Sequence, residues 1–169
     1  MFQHLKRALA FAIVAAAFSA PATAFADGGV RVALSSQRVT IVEGKEVLVS
    51  ADKARPGDVI EYRAVYKNDG RTAVRELDAT LPVPSGLEYL PKTAAPAVVL
   101  ASTDGRTFAP VPLVRTVRTT DGREVVREVP LAEYRALRWS IGTLAAKESR
   151  TVRARMRVAP LASVAANER

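Results

Sequence analysis

Two runs of alternating residues stand out in the middle of the chain. Ile60, Tyr62, Ala64 and Tyr66 fall on one parity, while Glu61, Arg63 and Lys67 share the other with Val59 and Val65. Beyond an Asn68-Asp69-Gly70 turn, Leu77, Ala79 and Leu81 alternate with Glu76, Asp78 and Thr80. A period of two on either side of a glycine turn predicts a pair of antiparallel strands, each with one face on a core.

The same pattern extends outward in both directions. Residues 30–34 read as a first strand. Val39, Ile41 and Val42 form a hairpin with residues 47–49, turning through Glu43-Gly44-Lys45. Pro56-Gly57 sets a polar bend, and Asp104-Gly105 marks a turn before a Pro110-x-Pro112 interruption. Asp121-Gly122 predicts a two-residue hairpin loop that places Val117 opposite Val126 and Arg115 opposite Glu128. Leu137, Trp139 and Ile141 alternate with Ala136, Arg138 and Ser140. After a turn at Gly142-Thr143-Leu144, Val152, Ala154, Met156 and Val158 alternate with Thr151, Arg153, Arg155 and Arg157. Pro160 ends that strand because it cannot donate to a ladder, and residues 161–169 read as a solvated tail. No useful helical period follows the first segment. Many short strands punctuated by Gly and Pro predict an all-β antiparallel sandwich; a closed barrel fits the uneven strand lengths less well.

Composition changes the picture at the N-terminus. Lys6 and Arg7 precede an apolar stretch over residues 8–20, and Ala24-Phe25-Ala26 supplies small residues three and one before a cut. This is the layout of a cleavable signal peptide over residues 1–26, shorter than a spanning helix needs and interrupted by Pro21, with an uncleaved anchor as the alternative reading. Loss of Lys6 and Arg7 lowers the formal net charge from +8 to +6. The remainder, residues 27–160 plus the tail, suits one domain with a single core. It is expected in the periplasm or outside the cell, with no integral membrane segment once the signal is gone.

Candidate chemistry is sparse. His4 is the one histidine and the chain has no cysteine, so residues 27–169 lack the groups for Ser-His-Asp or Cys-His catalysis and for nitrogen- or sulfur-ligated zinc. Asp52, Asp58, Asp69 and Asp78 sit near strand ends, but no acidic run has the spacing of a calcium loop. No enzyme activity, metal or other cofactor is therefore expected.

The order of the motifs resembles a known family. Pro56-Gly57-Asp58, Ile60, Tyr62, Asn68, Gly70, Leu77, Thr80, Leu81-Pro82 and Gly86-Leu87, then Trp139, Ile141-Gly142, Leu144, Ser149 and Val152, are similar to the bacterial and archaeal conserved repeat domain called domain of unknown function eleven. The resemblance covers residues 30–160. It implies an immunoglobulin-like β-sandwich, often in tandem in large cell-surface proteins, with no established catalytic residues. This chain departs from the pattern by its single copy, by Lys147 where Gly is common, and by a longer segment over residues 103–130.

Arg150, Arg153, Arg155 and Arg157 lie on or beside the last strand, the latter three on its outward face. Two readings follow. The stripe contacts an anionic glycan or lipid headgroup, or it is a solvated face neutralised by Glu61, Glu76 or Asp78; charge runs more often take the second role. Nucleic acid is not an expected partner, since few aromatics interleave with the arginines and Trp139 shares the parity of the core. The leading expectation is a non-catalytic structural or protein-interaction module of the cell envelope. An envelope protein partner would meet its edge strands or the hairpin over residues 111–129.

Overall fold

A computed structural model describes residues 23–26 and 29–160. Most of the expected signal peptide and the whole tail over residues 161–169 lie outside the described residues. The described residues form twelve strands: β1 (Thr23–Ala26), β2 (Val30–Val42), β3 (Lys45–Ser50), β4 (Val59–Asn68), β5 (Val74–Pro82), β6 (Leu87–Tyr89), β7 (Leu100–Ser102), β8 (Ala109–Pro110), β9 (Val114–Arg118), β10 (Glu124–Glu128), β11 (Ala136–Leu144) and β12 (Ser149–Val158). A 3-10 turn, Leu131–Glu133, links β10 to β11. One sheet runs β1-β2-β4-β12-β6, with β3 also on β2; the other runs β5-β11-β7-β8; β9 and β10 form a separate two-stranded ribbon.

The chain is an all-β antiparallel sandwich, as its alternation implies. Ile60, Tyr62, Ala64 and Tyr66 from β4 and Val152, Ala154 and Met156 from β12 face Ala79, Leu81, Leu137 and Trp139 of the other sheet in one core. Polar groups carried inward are tied across it. The Tyr66 hydroxyl donates to Thr80 O at 3.1 Å and accepts from Thr80 N–H at 3.0 Å, joining the two layers. Trp139 Nε1 donates to Pro96 O at 2.8 Å. Among the described residues the Tyr62 hydroxyl finds no partner.

Several pairings differ from those read along the chain. β4 and β5 were expected to be neighbours, yet β4 pairs with β2 and β12 while β5 pairs with β11. The connection over residues 69–73 passes from one layer to the other. Asn68, fully buried, anchors this crossing. Its Nδ2 donates to Thr72 O, Leu144 O and Ala145 O at 2.8, 3.1 and 3.0 Å, and its Oδ1 accepts Gly70 N–H at 2.9 Å. The first strand and the first arm of the β2–β3 hairpin are one continuous strand. Glu43 and Gly44 turn that hairpin with φ of 50° and 75°, the two positive angles of a type I′ loop.

Gly142 is not a turn but part of a bulge. β11 runs on to Leu144 with register shifts on both sides of Gly142, and the reversal falls at residues 145–148, where Lys147 has φ 64°. In the ribbon, Thr119 N–H donates to Arg123 O and Gly122 N–H to Thr119 O. The loop thus has three residues and ends on a left-handed Gly122 at φ 83°. The register moves by one: Val117 faces Val125, and Arg115 faces Arg127.

Candidate functional site

The basic strand face is largely neutralised within the fold. Glu61 projects from β4 on the outward parity, yet only 3% of its side chain is exposed, because arginines of β4 and β12 close over it. Arg155 Nε donates to its Oε2 at 3.2 Å and Arg153 Nη1 at 3.4 Å, while Arg63 Nη2 reaches Oε1 at 3.4 Å. Arg155 also clamps Glu46 of β3 through two bonds of 3.0 and 2.8 Å. Burial opposes the charge on Glu61, but hydrogen bonds from Arg155 and Arg63 and the charges of Arg153 and Arg155 outweigh it, holding its carboxyl below the usual range. The Arg155 bond lowers Glu46 in the same sense.

Arg150 departs from this cluster and pairs with Glu148 at 2.6 Å. Arg157 is exposed and stands opposite Glu88 of β6. Glu76 and Asp78 do not take part, since β5 lies in the other sheet. Asp78 instead accepts from Ser140 Oγ at 3.0 Å and lies 3.8 Å from Arg138. The four candidate calcium carboxylates stay apart. Asp58 accepts Arg55 N–H at 2.8 Å within its own turn, and Asp69 pairs with Arg31 and Lys67 at 3.0 and 3.1 Å. Among the described residues no group of three or more His, Cys, Asp or Glu gathers as a metal site.

The second candidate region is an apolar groove where the ribbon leaves the sandwich. It encloses about 650 Å³ between the loop after β6, the Pro110-Val111-Pro112 segment and the chain after β10. Tyr89 and Tyr134 form its floor, their rings stacked at 6.3 Å, with Val99, Val111 and Val129 on its walls. The Tyr134 hydroxyl accepts Leu113 N–H at 2.8 Å, and Val129 N–H donates to Leu113 O at 2.8 Å, which fixes the ribbon's base to the floor. Val98 sits at the groove 87% exposed, and Val114 and Val126 on the ribbon are 59% and 68% exposed. Among the described residues the ribbon's strands pair only with each other, which leaves both outer edges with unpaired backbone donors and acceptors. Arg115 holds Glu133 through bonds of 2.7 and 3.0 Å, a second tie to the sandwich.

Alternation does not reveal this groove, because its lining comes from turn-rich stretches with no period. The usable signal is the clustering of Val98-Val99 and Val111 among prolines, where large apolar residues would otherwise be rare. An antiparallel β-sandwich with a paired arginine face and an apolar groove is thus the class that fold and site define. The chain matches no protein-family model, no curated protein and no solved structure. Among the described residues no helix is long and apolar enough to cross a membrane.

Proposed function

We propose that this domain is a non-catalytic protein-interaction module, exported to the cell envelope, that holds an extended apolar segment of another envelope protein. The apolar groove beside the open-edged ribbon carries this reading. A partner strand added to β9 or β10 would gain backbone hydrogen bonds, and its side chains on one face would enter the groove. One lysine and one glutamate, Lys92 and Glu128, are the charged residues of the lining, so recognition there is by apolar contact rather than by charge. The motif order of the conserved repeat domain, with its immunoglobulin-like sandwich and surface location, agrees with such a role, as does the Ala-x-Ala end of the leader. Placement in the periplasm or outside the cell follows from the leader alone. The paired state of Arg153 and Arg155 makes an anionic glycan or lipid headgroup the weaker reading.

Salt and mutation separate the two. Binding of the purified domain to envelope fractions is expected to survive salt that screens exposed charges, whose reach is about 8 Å at physiological ionic strength. It is expected to fall at least about tenfold in Val98→Glu or Val111→Glu, which bring a charge to a desolvated contact. It should be unchanged in Arg157→Gln. Loss of binding in moderate salt and in Arg153→Gln, with the groove variants unaffected, would overturn this reading in favour of the anionic one.

A further inference from the structure

β2 is the longest strand of the sandwich, and its two sides are used differently. β4 covers residues 30–39 along one side. On the other, β3 pairs with residues 37–42 and β1 with residues 30–33. Gln37, Arg38 and Val39 pair with β3 and β4 at once, so β3 lies away from β4; β1 shares that side for the same reason. β1 is Thr23–Ala26, the segment at whose end the expected cut falls. Cleavage after Ala26 removes β1, while the buried core among the described residues begins at Val30. Residues 30–36 then form an open edge about 24 Å long at ~3.4 Å per residue, bounded at one end by β3.

The geometry points to this edge as a self-association surface, where β2 of a second copy takes the seat of β1, antiparallel about a two-fold axis at Ala33. The seat already accepts a strand in that direction, with Thr23 opposite Ala33. Within residues 30–36 the one charged side chain is Arg31, and there is no lysine, proline or inward charge of the kind that protects an edge. A two-fold axis at Ala33 sets Arg31 against Ser35 and Val32 against Leu34, so no like charges meet. The lengths also agree, since β3 blocks residues 37–42 in both copies and leaves matching free runs. The product is an isologous dimer with one continuous sheet ordered β6-β12-β4-β2-β2-β4-β12-β6. This surface is distinct from the groove. In the cell it depends on removal of the leader, but its test does not.

Sedimentation velocity on two defined forms, beginning at Thr23 and at Asp27, supplies that test, with near-UV dichroism of Trp139 as the check of folding. The Asp27 form is expected to dimerise at least about tenfold more tightly, because a tethered β1 competes at an effective concentration in the millimolar range. In the Asp27 form, Ala33→Lys and Ala33→Glu should each weaken the dimer about fivefold, as like charges meet about 5 Å apart, and an equimolar mixture of the two should restore it. If those variants do not fold, the comparison of the two N-termini still decides. An Asp27 form that stays monomeric up to millimolar concentration overturns the inference. So does a dimer equally strong in both forms, or one indifferent to folded Ala33 variants.

Discussion

Replacing Glu61 by glutamine tests whether the arginine face is held by its buried carboxylate. The substitution keeps shape and one acceptor oxygen but leaves Arg63, Arg153 and Arg155 around a neutral group. Contacts of 3.2 to 3.4 Å are at the long end for charge-assisted bonds. The carboxylate is buried, but the arginine side chains are 25 to 46% exposed, so water screens part of the loss. A hydrogen bond to a charged group contributes about 1.5 to 3 kcal/mol and an exposed ion pair less than about 1, which together suggest a net loss of about 2 kcal/mol at neutral pH. For a domain of this size that lowers Tm by about 7 °C. The pH dependence supplies an independent check. The Glu61 carboxyl lies below its usual value when folded, so its contribution is present above the unfolded carboxylate pKa, near 4.3, and is lost as pH falls through the lower folded value. Thermal melts of the two proteins should therefore differ most near pH 7 and converge as pH falls below the unfolded value and through the lower folded one. A gap below about 2 °C at pH 7, or one that stays constant into acid, would refute the assignment of that face to Glu61.

Other outcomes can be stated more briefly. Asn68→Ala should cost about 3 kcal/mol in urea unfolding, because it strands buried carbonyls and an N–H at the crossing between layers; a loss under 1 kcal/mol would mean water replaces the side chain there. Lys147→Gly relieves a left-handed backbone that costs a non-glycine residue about 1 kcal/mol, and Tm should rise unless the Lys147 Nζ bond to Asp69 O outweighs the relief. Gly122→Ala should raise amide exchange in β9 and β10 at least about fivefold, for the same left-handed strain, while leaving the Tm of the sandwich within about 1 °C. Coupled loss of both would show that ribbon and sandwich unfold together.

The inward faces of β4, β5, β11 and β12 were legible because alternation reports burial directly. Which strands would be neighbours was not. A strand with one buried face is equally compatible with a hairpin and with a crossing to the opposite layer, and nothing near Asn68 distinguishes the two until Leu144 and Ala145 arrive to accept its amide. Asp121-Gly122 shows the same limit at shorter range. A left-handed glycine serves either a two- or a three-residue loop, and the choice shifts every facing pair by one. The arginine stripe was visible, and Glu61 was among its suggested partners, but its burial on an outward parity was not. It follows from three long cationic side chains converging on one carboxylate. Glu46 joins Arg155 across more than a hundred residues of chain, beyond any local pattern. The groove was illegible for a related reason, since three separate stretches without periodicity meet there.

The positions of β11 and β12 have a consequence for biogenesis. Both strands are interior members of opposite layers, β11 between β5 and β7, β12 between β4 and β6. Neither layer can be completed while residues 136–158 are still inside the ribosome or a translocation pore. β5 and β6, whose ladder partners are β11 and β12, stay unpaired until that stretch arrives, and closure of the core then depends on contacts distant in sequence, which slows folding. A chain assembled in this order buries its shared core only after both interior strands are in place.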